Sequence, residues 1–289
     1  MKSNRPFYIA LSYLFALTIT AFAQEAKVDP KKTEDITFEL TKPLKFVDRP
    51  RTVNFITKAN IEKLRNRPIL AMREIDIGKG TLNQQLFDEG ITLRKGRKGE
   101  EKIQVRTCKE YDDALLAGYA PDGTWEIGVA SYFKYSCGTL NLLQKATRHK
   151  RSFLPTRNQE LFDLTLLPLK LFPIVSDYEQ TYGRDIENET YHDQAEKGEL
   201  EVIENTPHKF VCKDDGLKQR LTEVVRADFN GDGTEDILFH EAVAAIDATY
   251  RTYNLIILTR KSSRAKYEMV FKSKFVMLPK HLDKALKGE

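Results

Sequence analysis

The sequence predicts an α+β protein with an N-terminal mostly helical part, which carries a disulfide-linked helical hairpin, and a C-terminal antiparallel β-meander, which carries a calcium loop. Three observations predict it. Apolar residues recur at helical spacing through Cys108–Ala117 and Thr124–Ala146, with the turn signal Ala120-Pro-Asp-Gly123 between them. From Leu200 onward the pattern changes to short strand-like runs joined by short connections. Between two of those runs lies Asp228-Phe-Asn-Gly-Asp-Gly-Thr-Glu-Asp236, in which oxygen-bearing side chains alternate around a tight turn.

Composition sets the outer limits. Of 289 residues, 41% are hydrophobic and 30% charged, the mix of a chain that buries a core. The formal net charge of +4 lacks the concentrated basic face that nucleic-acid binding needs.

Residues 1–23 read as a secretory signal peptide. Lys2 and Arg5 precede a charge-free apolar run from Ile9 to Phe22, and Ala21-Phe22-Ala23 places small residues where a signal peptidase reads them. The run is too short to span a bilayer comfortably. Cleavage of 23 residues leaves 266 at a formal charge of +2, since Lys2 and Arg5 are lost. The expected address is the bacterial periplasm or the medium, with no stable membrane span after cleavage.

Residues 24–35 read as a flexible leader, charged and without periodicity. In the mainly helical part, 36–176, Ile36–Leu44 and Arg51–Ile56 read as extended, Thr57–Arg65 as a helix capped by Thr57, and Ala71–Ile77 as a strand. Glu89–Lys102, with three glycines and a run of basic residues, reads as a solvated loop. The hairpin follows, and then Arg148-His-Lys-Arg151, which reads as a solvated helix end. Asp112-Asp113 reads as part of a solvated face, and Trp125 as a packing anchor at the hairpin corner. Leu161–Val175 is abruptly apolar and should be a buried connector. Residues 177–199 are a polar connector, 200–280 the antiparallel β part, and 281–289 a tail. Within the β part, Tyr253–Leu258 is nearly continuously apolar, as in a central strand.

Export makes cysteine pairing the expectation. Cys108, Cys137 and Cys212 allow three pairings, and each leaves one thiol over. The helical hairpin favours Cys108 with Cys137, which leaves Cys212 as a buried thiol.

The informative segment is the loop. Its donors fall at positions 1, 3, 5 and 9, with Gly233 at position 6. Calcium takes six to eight oxygens. Asp228, Asn230, Asp232 and Asp236 would supply side chains and Thr234 its backbone carbonyl, so Ca2+ is the expected cofactor. An EF-hand loop ends in a bidentate Glu at position 12, but Phe239 stands there, and the flanks are strand-like. The segment instead resembles the calcium loops of integrin-type FG-GAP and related bacterial repeats. With Cys108, Cys137-Gly-Thr-Leu-Asn-Leu-Leu-Gln-Lys-Ala146 and Leu258-Thr-Arg260, it is similar to an uncharacterised group of exported bacterial proteins. That resemblance spans roughly Thr107 to Arg260. It implies layout and disulfide, and no activity.

A search for catalysis finds fragments only. His240-Glu241 opens like a zinc-protease motif, but Ala244 stands where the second histidine belongs. Asp247 and Tyr250 follow in a strand connection and would line a cleft only if the fold made one. The expectation is an exported, calcium-stabilised binding or envelope-associated protein whose partner is an unknown protein or polymer. The alternatives are a hydrolase acting on envelope or extracellular polymers, and an inhibitor or adaptor for another secreted protein.

Overall fold

In a computed structural model the described residues are 36–76, 82–96, 101–173, 187–246 and 250–273. The expected signal peptide, leader, tail, Asp247 and residues 177–186 of the polar connector lie outside them.

The frame is a six-stranded antiparallel sheet in sequence order, β7 (Glu201–Thr206), β8 (Lys209–Lys213), β9 (Leu217–Ala227), β10 (Asp236–Ala245), β11 (Arg251–Thr259) and β12 (Glu268–Lys272). Short connections between neighbours leave no room for crossovers, so a meander results. The interior strands are apolar on both faces because both faces are covered. Leu238, Leu255 and Ile257 enter one hydrophobic cluster, while Ile237, Phe239, Ile256 and Leu258 enter the other. This alternation along each strand explains the unbroken apolar run at Tyr253–Leu258.

The N-terminal half covers the first face, and here the expected helical part is corrected. Strands outweigh helices among the described residues, 41% to 25%. The N-terminal half holds three hairpins of its own: β1 (Thr37–Lys45) with β2 (Thr52–Thr57), β3 (Ala71–Asp76) with β4 (Leu82–Phe87), and β5 (Ile91–Lys95) with β6 (Glu101–Val105). The last pair replaces the solvated loop expected over Glu89–Lys102. The glycines and lysines there mask a short alternation, in which Ile91, Leu93 and Val105 point inward and are buried. The helix after β2 is also smaller than expected. A 3₁₀ turn (Lys58–Asn60) leads into α1 (Ile61–Arg65), and Thr57 makes no side-chain cap bond.

The helical hairpin is present as α2 (Cys108–Leu116) and α3 (Thr124–Lys145). Helix α2 starts on a capping box, with Thr107 and Glu110 satisfying each other's backbone amides, and the chain leaves its C-terminus through Gly118 at φ +88°. Helix α3 packs Phe133, Leu140 and Leu143 into the core. It ends where the Lys58 ammonium donates to the Ala146 carbonyl at 2.9 Å. A disulfide joins Cys108 to Cys137, whose Cα atoms are 5.1 Å apart. Cys212 is a free, buried thiol on β8, and burial pushes its pKa up.

Asp112 is not on a solvated face. It is buried, with its carboxylate held by Arg65 at 2.9 Å and by Asn141 at 3.0 Å. Trp125 sets its ring edge-on to Phe87, with centroids 4.7 Å apart, yet remains 41% exposed.

The second sheet face is covered by the segment after α3. Leu161, Phe162, Leu167, Leu169 and Leu171 are buried against it, together with Tyr191 of α4 (Tyr191–Glu196). Phe162 is the centre of this layer, with ring contacts to Phe210, Phe239 and Tyr267.

Candidate calcium loop and its strap

Residues 228–235 form the turn between β9 and β10, and Asp236 opens β10 opposite Ala227. The alternation read in the sequence has a backbone cause. Asp228 accepts the Gly231 amide at 2.7 Å and the Gly233 amide at 2.9 Å. Asn230 Oδ1 accepts from the Asp232 amide at 3.0 Å, and Asp232 Oδ1 from the Thr234 amide at 2.7 Å. Such short-range bonds are what Asp and Asn side chains offer a turn. Gly231 and Gly233 sit at φ +81° and +80°, a region that costs L residues dearly, and this lets the chain curl within so few residues.

Asp236 differs from the rest. It is fully buried, and its Oδ2 accepts from the Phe229 amide at 2.9 Å, which aims the carboxyl into the loop. Its Oδ1 is buried and makes no hydrogen bond of good geometry; the equally buried hydroxyl of Thr259, its neighbour across the β10–β11 pair, is the donor beside it and pulls the carboxyl pKa down. Burial pushes the Asp236 pKa up to about 6, and the charges of Asp232 and Asp228 add to the shift. A buried carboxylate oxygen without a well-made hydrogen bond costs about 1–3 kcal/mol or more. A cation in the loop would satisfy it and offset the repulsion among Asp228, Asp232 and Asp236.

The expected ligands are therefore on one turn, although among the described residues no three His, Cys, Asp or Glu side chains converge as a ready-made metal cluster. In this conformation Asp228 and Asp232 are turned onto backbone amides. The donor set is nonetheless hard oxygen throughout, which suits calcium rather than a transition metal. Asp228, Asn230, Asp232 and Asp236 side chains and the Thr234 carbonyl would hold the ion.

Sequence reasoning missed the loop's partner. Arg148–Arg151 is solvent-exposed, as expected, but it does more than end the helix: it is part of a strap, 147–152, running from α3 along the loop. Thr147 and Asp228 exchange backbone hydrogen bonds at 2.8 and 3.1 Å. The Lys150 and Arg151 amides donate to the Gly233 carbonyl at 2.8 and 3.2 Å, and the Glu235 amide donates to Arg151 at 2.9 Å. Side chains add to this. The Thr147 hydroxyl donates to Asp228 Oδ2 at 3.0 Å, Arg151 Nε to the Thr234 hydroxyl at 3.1 Å, and Ser152 to Glu235 at 2.6 Å. Backbone pairing of this kind leaves no mark in side-chain periodicity.

His240 and Glu241 part company because neighbours on a strand face opposite ways. His240 Nδ1 lies 2.8 Å from the Lys42 ammonium, and its ring stacks on Tyr253. Glu241, on the other face, is fully buried and bonds Gln219, Asn254 and Lys272. They share no ligand position. Tyr250 is 45% exposed.

In comparisons with known proteins, no family model, curated protein or solved structure matches this chain. The likeness to FG-GAP-type loops rests on the residues quoted for it.

Proposed function

We propose that this is an exported, calcium-stabilised binding or envelope-associated protein. One calcium ion, held by Asp228, Asn230, Asp232, Asp236 and the Thr234 carbonyl, braces the junction of sheet, loop and strap. The observation that carries the reading is Asp236, fully buried beside the charges of Asp228 and Asp232, with its Oδ1 lacking a hydrogen bond of good geometry. The ion would supply charge neutralisation and rigidity. Amides of the same loop hold the carboxylates of Asp228 and Asp232, and these would turn to the ion when it binds. The loop joins the two central strands and is gripped by the chain leaving α3, so rigidity there would stiffen both halves.

Thermal unfolding with calcium and with chelator tests the reading. At free calcium a hundredfold above its dissociation constant the expected gain is about 2.7 kcal/mol. Asp236→Asn should remove most of that gain. A wild-type transition indifferent to calcium would overturn the proposal.

A further inference from the structure

We propose that the strap 147–152 regulates the calcium loop: Thr147 holds the first ligating carboxylate in place, and Lys150 and Arg151 keep the loop's calcium affinity low. This rests on the calcium reading above.

The positioning half follows from Asp228. Its Oδ2 accepts from both the Thr147 hydroxyl and the Gly233 amide, and its Oδ1 accepts from the Gly231 amide. Three donors from three residues fix the carboxylate's rotation, and Thr147 alone of them lies outside the loop. Groups that orient a metal ligand in this way commonly alter metal affinity about 10- to 100-fold when lost. Thr147 is itself held, because it pairs with Asp228 through both backbone groups and follows Ala146, whose carbonyl Lys58 anchors.

The affinity half follows from charge. Arg151 bonds the hydroxyl of Thr234, the residue whose carbonyl is an expected ligand. The Lys150 side chain runs beside Gly233, its Cδ 3.6 Å from where a Cβ on that glycine would stand. The acid on this side, Glu235, is engaged by Ser152 at 2.6 Å and by His149 at 3.6 Å. A unit positive charge about 8 Å from a divalent cation weakens its binding roughly twofold at physiological salt and about fourfold at low salt. Two such charges would move the loop toward the weak end of calcium sites, the range in which extracellular modules work.

Calorimetric titration of the full chain with calcium tests the proposal, for wild type, Lys150→Gln/Arg151→Gln, Thr147→Val and Thr147→Ser at low and high salt. The double variant should bind about fivefold or more tighter at low salt, and the difference should vanish near 1 M salt. Thr147→Val should bind about tenfold more weakly, and Thr147→Ser, which keeps the hydroxyl, should stay within about twofold of wild type. Should Thr147→Val fail to fold, Thr147→Ala, which likewise lacks the hydroxyl, takes its place with the same expected loss. A double variant that binds no tighter than wild type overturns the affinity half, and a folded Thr147→Val with wild-type affinity overturns the positioning half. A wild type that takes up no calcium overturns the underlying reading instead.

Discussion

Removing the disulfide should cost the protein a large part of its stability. Cys108 and Cys137 are 29 residues apart, so the bridge closes a loop of about 30 in the unfolded chain. In the chain-entropy account this is worth about 3.5 kcal/mol at 25 °C. Both sulfurs are buried, and the bridge ties α2 to the middle of α3, beside the Asp112–Arg65–Asn141 group. Replacing both cysteines with alanine therefore also removes well-packed atoms, which adds to the loss rather than offsetting it. For a domain of this size, about 3.5 kcal/mol corresponds to a melting temperature lower by about 7–14 °C. The assay is calorimetric unfolding of Cys108→Ala/Cys137→Ala beside wild type. Cys212→Ala serves as a control, since Cys212 is free and takes no part in the bridge. A double variant melting within about 2 °C of wild type would refute the reasoning. A thiol count on the native wild type should find none reactive, and on the unfolded, unreduced chain it should find one.

Two further predictions concern the sheet's two faces. Phe162→Ala should cost about 3–5 kcal/mol in urea unfolding, because the ring fills the layer between Phe210, Phe239 and Tyr267; a loss under about 1 kcal/mol would mean that residues 161–172 are not the cover of that face. His240 should make stability depend on pH. Burial holds its pKa well below the usual value, and the charges of Lys42, Arg220 and Lys134 add to the shift. Below about pH 6.5 the unfolded histidine takes up a proton that the folded one refuses, so stability should fall between about pH 7 and 5.5 by up to about 1.4 kcal/mol per pH unit. His240→Gln should flatten that slope, and a variant with the wild-type slope would show that other groups cause it.

The parts of the molecule written locally were legible. The strand runs from Leu200 onward declare themselves as short apolar runs with short connections, and the tight turn at 228–235 through Asp and Asn at alternate positions with glycine at the sixth. The cysteines on the helical hairpin were close enough along a predictable turn for their pairing to be named. The loss was greatest in the N-terminal half. Strands β5 and β6 are five residues each, with charges inside them and glycines flanking β5, so Glu89–Lys102 looked like solvent-facing chain. Asp112 looked exposed for a similar reason. What permits its burial is Arg65, 47 residues away, and Asn141 on the next helix.

Residue order along the chain thus sufficed for the disulfide, the C-terminal strands and the tight turn at residues 228–235, because each depends on neighbours within a turn or one short connection. Tertiary structure decided which sheet face each apolar run covers, that Asp236 lies fully buried, and that the basic run after α3 grips the loop. Those outcomes come from backbone hydrogen bonds and burial between segments about 80 residues apart, such as Thr147 with Asp228 and Arg151 with Thr234. A hydrogen bond between backbone groups carries no side-chain signature, so no pattern in either segment announces the other.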